Sequence, residues 1–130
     1  MMTIKEIVEA VAKNENENRN LWHYLGNFLD YFYRDSTTTE DRLELVKEEP
    51  DEFDNIPKET YAFLAGAVHF ICVKYGVECP RWIIKEKYFL KDPYFSMNAK
   101  GDLRLVLIAE SPTVFRMRNI FTSANTLDRC

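Results

Sequence analysis

The stretch from Ile56 to Gly76, IPKETYAFLAGAVHFICVKYG, restricts the fold more than any other part of the chain. It reads as one helix, apolar on nearly every side, and such a helix is stable in water only when the rest of the chain surrounds it. Pro57 suits a first turn, where its missing N–H would have had no partner, and Asn55 is a candidate cap. Gly76 can take the left-handed conformation that ends a helix, with Val77 folding back on the last turn. Two stripes of large residues run along it, Tyr61, Leu64, Val68, Ile71, Tyr75 and Phe63, Ala67, Phe70. Between them lies a face of small groups, Ala62, Ala65 and Gly66, leading to His69. Gly66 costs about 1 kcal/mol of helix propensity against Ala, so its expected use is the close approach of a neighbouring helix. Lys58, Glu59, His69 and Lys74 interrupt the stretch, which therefore lacks the uncharged run of about 18 residues that a membrane span needs.

A chain of 130 residues predicts one domain, large enough to bury a core without disulfide or metal staples. The net charge of -4 speaks against indiscriminate nucleic-acid binding, but the charge is unevenly spread. Residues 1–79 hold 8 Lys/Arg against 16 Asp/Glu, and residues 80–130 hold 9 against 5. The acidic part is densest from Glu48 to Asp54. This reads either as a solvated loop or as one half of a polarity in which the basic C-terminal part meets an acidic partner surface. Three cysteines, Cys72, Cys79 and Cys130, have no framework spacing, and the charged first helix does not resemble a signal peptide. Both features predict a reducing, cytoplasmic setting.

Around the central helix the pattern predicts further short helices. Thr3 and Glu6 make a capping-box pattern ahead of the face Ile4, Ile7, Val8, Val11. The polar segment Asn14 to Asn20 reads as loop or frayed helix start. Leu21 to Arg34 reads as a second strong helix, and the Ser36–Thr39 cluster caps a third, about Glu40 to Glu49, that Pro50 stops. Pro80 opens a helix through Leu90 and Asp92-Pro93 breaks it. Tyr94 and Phe95 look like an aromatic plug. The run Leu103 to Ala109 fits a buried helix or a buried strand; helix is chosen because no partner strand is apparent. Ser111 caps a last helical turn from Pro112 to Asn119, and the tail from Phe121 has room for one more turn. The expectation is a single all-α domain, residues 1–130, of six or seven helices around a buried central helix, with a mixed α/β arrangement as the alternative.

Chemistry-bearing constellations are few. His69 and Cys72 share a helix face at a spacing that can bind zinc, but no second two-ligand motif accompanies them, so no metal and no cofactor is expected. Carboxylates sit in charge runs rather than singly among apolar residues, and the four glycines are too scattered for a phosphate loop. No catalytic residue is assigned. The main basic cluster is Arg116, Arg118 and Asn119, flanked by Arg104 and Lys100. Its forked guanidinium groups suit carboxylate or phosphate, or else one stacks on Trp82 or Tyr94 while another bonds helix C-terminal carbonyls.

The C-terminal part carries a more specific pattern. It runs Cys79-Pro80-Arg81-Trp82, Tyr88-Phe89-Leu90, Asp92-Pro93-Tyr94-Phe95, the apolar run to Ala109, Glu110-Ser111-Pro112, then Phe115-Arg116-Met117-Arg118-Asn119-Ile120-Phe121, Leu127 and Arg129. Residues 79–130 so ordered resemble a group of small prokaryotic proteins that often carry an N-terminal helix-turn-helix domain. These are often encoded beside a nucleotidyltransferase-like protein, in an arrangement similar to a toxin–antitoxin pair. The resemblance implies an antitoxin-like protein-interaction module and a nucleotidyltransferase-like partner. It transfers no catalytic role. The N-terminal half departs from the pattern, because its third helix is acidic where a DNA-reading helix is basic, which speaks against direct nucleic-acid contact. The expected partner-binding residues are Arg116, Arg118, Asn119 and Arg104. Two other readings stand beside this one. One is a small-molecule-binding regulator or enzyme with a pocket among Trp22, His69, Trp82 and Tyr94. The other is a homodimer whose interface is the small-residue face from Ala62 to His69.

Overall fold

Pro57 and Gly76 bracket the central helix as their backbone preferences require. A computed structural model describes residues 2–13, 17–35, 38–96 and 99–128. In it this helix spans Lys58–Tyr75, preceded by Pro57 in an extended conformation and ended by Gly76 at φ 67°, ψ 28°. The Val77 N–H bonds the Cys72 carbonyl at 2.9 Å and the Val77 side chain is buried, which is the Schellman reversal. Every residue from Tyr61 to Val68 is buried, as are Ile71 and Cys72, so the chain does wrap this helix. Asn55 does not cap it; its side-chain amide bonds the Ala12 carbonyl at 2.7 Å instead.

The described elements, in chain order, are helices α1 (Ile4–Ala12), α2 (Glu17–Asp30), α3 (Thr39–Val46), α4 (the central Lys58–Tyr75), α5 (Asp102–Glu110) and α6 (Thr113–Arg116). Strands β1 (Tyr94–Phe95) and β2 (Ile120–Phe121) complete them. The fold is all-α apart from this two-residue pair. In α1 the capping box forms as its sequence requires, the Glu6 N–H donating to Thr3 Oγ1 at 3.2 Å and the Thr3 N–H to Glu6 Oε1 at 3.0 Å. Helix α2 passes into a π-helical turn over Tyr31–Asp35, and Thr38 caps α3. Residues 14–16, Ser36, Thr37, Arg129 and Cys130 lie outside the described residues.

Three further sequence expectations are corrected. The segment after Pro80 is not an α-helix but two 3₁₀ turns, Arg81–Ile84 and Glu86–Tyr88, separated by Lys85 at ψ 143°. The Trp82 indole donates to the Val46 carbonyl at 2.9 Å and its ring meets Tyr88 edge-on, contacts that hold this tighter path against α3 and α4. The Tyr94-Phe95 plug is also a strand, paired in parallel with Ile120-Phe121, the Phe95 and Phe121 rings stacking at 5.1 Å. Finally, Ser111 does not cap α6. Its buried hydroxyl accepts from the Thr122 N–H at 2.8 Å and lies within bonding distance of the Leu107 and Thr122 carbonyls, tying α5 to the end of β2.

The acidic run is not merely solvated. Glu49 receives the ammonium groups of Lys85 and Lys87 and the Tyr88 hydroxyl, the last two at 3.1 and 2.7 Å, and Lys87 also meets Glu52 at 2.9 Å. Part of the basic C-terminal half therefore meets the acidic half of its own chain. Burial alone would raise the Glu49 pKa, but the hydrogen bonds from Lys85, Tyr88 and Lys87 outweigh it and hold the carboxyl down to about 2. A carboxyl depressed in the folded state stabilises above its ordinary pKa, and that stabilisation is lost as pH falls towards 2. The cluster is largely open to water, so Glu49→Gln is expected to cost only about 1 kcal/mol at pH 7. Urea unfolding at pH 7 and near pH 2 checks this: the difference from the unsubstituted chain should vanish at the lower pH.

Candidate functional site

The residues predicted to form one basic surface part company. Arg118 is fully buried. Its Nη1 donates to the Val114 carbonyl at 2.8 Å and to His69 Nδ1 at 3.1 Å, its Nη2 donates to the Ile83 carbonyl at 2.8 Å, and its guanidinium lies over the Phe89 ring. Nε alone has no hydrogen-bond partner among the described residues. Burial lowers the Arg118 pKa to about 10, so the group is still charged at neutral pH. This placement corrects the assignment of Arg118 to a partner-binding surface: it stacks on Phe89 rather than Trp82 or Tyr94, and it ties α6, the 3₁₀ turn and α4 together. Because a guanidinium can only donate, His69 Nδ1 must be the acceptor and the ring neutral. Burial first, and then the Arg118 charge, hold the His69 pKa below its usual value.

Asn119 is also structural. It takes φ 65°, which Asn tolerates better than most residues, and its amide donates to the Leu90 and Lys91 carbonyls at 3.3 and 3.2 Å. Arg104 is exposed but anchored, its guanidinium over the Phe95 ring and its Nε donating to the Ala99 carbonyl at 2.8 Å. Arg116 points to solvent, with one long contact to Thr113. Arg104 and Arg116 thus remain available at the surface, and Arg118 and Asn119 do not.

What the sequence reading missed is what lies bare. The apolar run of α5 reads as buried, yet only Leu107 is covered. Leu105 is 65% exposed, Val106 50%, and Leu103 and Ile108 42% each. At 100° per residue Leu105 and Ile108 share a face roughly opposite Leu107, with Arg104 beside them. A helix apolar around its circumference signals cover, but its periodicity does not say whether the cover is the same chain or another one.

The other sites read from the sequence resolve as follows. The small-residue face of α4 is occupied by the chain itself: a Cβ added at Gly66 would lie 2.8 Å from the Phe115 ring. A homodimer through that face is therefore corrected. His69 and Cys72 share their helix, but among the described residues no group of three metal-ligating side chains converges. Burial pushes the Cys72 thiol up to about 12, with Cys79 beside it adding to the effect, so Cys72 is a protonated thiol at neutral pH and not a nucleophile. Of the four residues expected around a pocket, Trp22 and Tyr94 line the same cavity, while Trp82 is buried against α3 and His69 is taken up by Arg118. No helix among the described residues is long and apolar enough to cross a membrane. Compared with protein-family models, curated proteins and solved structures, the chain matches none.

Proposed function

We propose that the chain is a non-catalytic protein-interaction module, antitoxin-like, whose docking surface is α5 with Arg104 on it and the exposed Arg116 of α6 as a further basic contact. The observation that carries this reading is the exposure of Leu103, Leu105, Val106 and Ile108 on one nine-residue helix. Leu105 and Ile108, about 60° apart around the helix, form the apolar centre of that surface, and bare apolar side chains grouped on an otherwise polar surface mark interaction sites. The surplus of basic residues in the C-terminal part favours a partner with an acidic border around an apolar groove. The resemblance of residues 79–130 implies a nucleotidyltransferase-like protein as that partner.

The test is co-expression with such a partner, comparing the unsubstituted chain with Leu105→Asp, Ile108→Asp and Arg116→Ala. Leu105 is mostly bare, so its substitution should leave unfolding within about 0.5 kcal/mol, while Ile108, more than half covered, should cost about 1 kcal/mol, and urea unfolding of each variant separates that cost from lost binding. Each Asp should weaken the complex by about 2 kcal/mol or more, roughly thirtyfold, and Arg116→Ala by less. A complex that survives both Asp substitutions refutes the docking surface. A chain that runs alone at twice its monomer mass, and falls to monomer mass with Leu105→Asp, would assign the same helix to a second copy instead.

A further inference from the structure

A separate concavity of about 360 Å³ lies where α2, the start of α4, β1 and the C-terminal segment meet. The residues that line it include Trp22, Phe63 and Tyr94, together with Glu59, Ser123 and Thr126. Trp22 is 54% exposed and Tyr94 41%. Trp22 is held in place edge-on to the well-buried Phe63, ring centroids 5.4 Å apart. Glu59 is half-buried and makes no ion pair among the described residues. No Lys or Arg lines the cavity.

The sign of this site is unambiguous. Its one formal charge is negative, and the face of each aromatic ring carries the negative lobe of its quadrupole. Phosphates and carboxylates are repelled. A cation is drawn by both the carboxylate and the rings. A primary ammonium gives up strong hydration to enter, whereas a methylated ammonium is weakly hydrated and presents methyl groups that pack on aromatic faces. The nearby hydroxyls leave room for a polar arm. We propose that this cavity is a binding site for a small quaternary or methylated ammonium compound, its cationic head between Trp22 and Tyr94 and its charge towards Glu59.

Choline and its neutral isostere 3,3-dimethylbutan-1-ol differ in the charge and hardly in shape, so the pair isolates the electrostatic claim. The full chain is titrated with each and followed by the Trp22 indole N–H resonance, assigned from a Trp22→Phe variant. Choline should bind in the millimolar range and the isostere about tenfold more weakly, the difference a cation–π contact supplies. Glu59→Gln should weaken choline several-fold and leave the isostere unchanged. Trp22→Ala, followed through backbone resonances, should abolish choline binding while the exposed position of Trp22 leaves the melting curve intact. Equal affinity for the two compounds overturns the proposal, as does the absence of any shift with choline at about 50 mM, where a millimolar site would be nearly saturated. Tighter binding of methyl glucoside than of choline would also overturn it, assigning the aromatic faces to a sugar ring.

Discussion

Arg118→Ala is expected to cost about 3–5 kcal/mol, enough to unfold a marginally stable domain, and to do so without any partner present. The side chain is fully buried and serves three acceptors on three segments: Val114 in α6, Ile83 in the 3₁₀ turn and His69 on α4. Ala leaves the Val114 and Ile83 carbonyls without their donors and opens a cavity above Phe89. Met fills that volume and removes a buried charge that no carboxylate among the described residues balances, so Arg118→Met should cost less, about 1–3 kcal/mol. Lys keeps the charge but offers its donors from one point and cannot reproduce the forked reach, so it should fall nearer to Ala. Urea unfolding of the three variants gives the order.

The same site has a pH signature. The His69 pKa is depressed in the folded chain, so below the usual histidine range the unfolded state takes up a proton that the folded state refuses. That contribution is present above the unfolded pKa and is lost as pH falls through the folded one. In Arg118→Met the charge that repels the proton is gone and the loss should be shallower. If Arg118→Met kept full stability and lost partner binding, the structural assignment of Arg118 would be wrong.

Arg118 also shows where sequence reading stops. Arg116 and Arg118 look equivalent in a run of alternating large and basic residues, and both suit an anion. Their fates separate because α6 ends at Arg116 and the chain turns through Asn119 into β2, sending one arginine out and the other under Phe89. The legible signal was local: Phe115 and Arg118 are three apart, and a residue three along from a core aromatic tends to share its face. Elements whose signals lie within a few residues were readable: the Thr3–Glu6 box, Pro57 and Gly76 at the ends of α4, Gly66 as a point of close approach. The 3₁₀ path of residues 81–88 depends on Trp82 reaching Val46 and on Arg118 reaching Ile83, contacts 36 and 35 residues away. The β1–β2 pair is two residues long, too short to carry a period. Of the four residues the sequence suggests around a pocket, Trp22 and Tyr94 line the cavity and His69 and Trp82 do not, and nothing local joins the first two to Glu59 or Ser123.

The contact of Phe115 with Gly66 supplies the second large effect, and it reverses sign with its partner. Phe115 is fully buried, stacked on Phe63 at 5.1 Å, with its ring where a side chain at position 66 would be. Phe115→Ala should cost about 3–5 kcal/mol, because it deletes the group that seats the C-terminal segment on α4. Gly66→Ala presents a Cβ 2.8 Å from a fully buried ring stacked on Phe63, closer than van der Waals contact allows, so the overpacking of about 1–3 kcal/mol should exceed the roughly 1 kcal/mol that Ala gains in helix propensity. In the Phe115→Ala background the ring is gone, the clash goes with it, and Gly66→Ala should become stabilising by up to about 1 kcal/mol. A double-mutant cycle by urea unfolding measures the reversal. If Gly66→Ala destabilised both backgrounds equally, the glycine would be needed for something other than the ring, and the seating of the C-terminal segment on α4 would have to be redrawn.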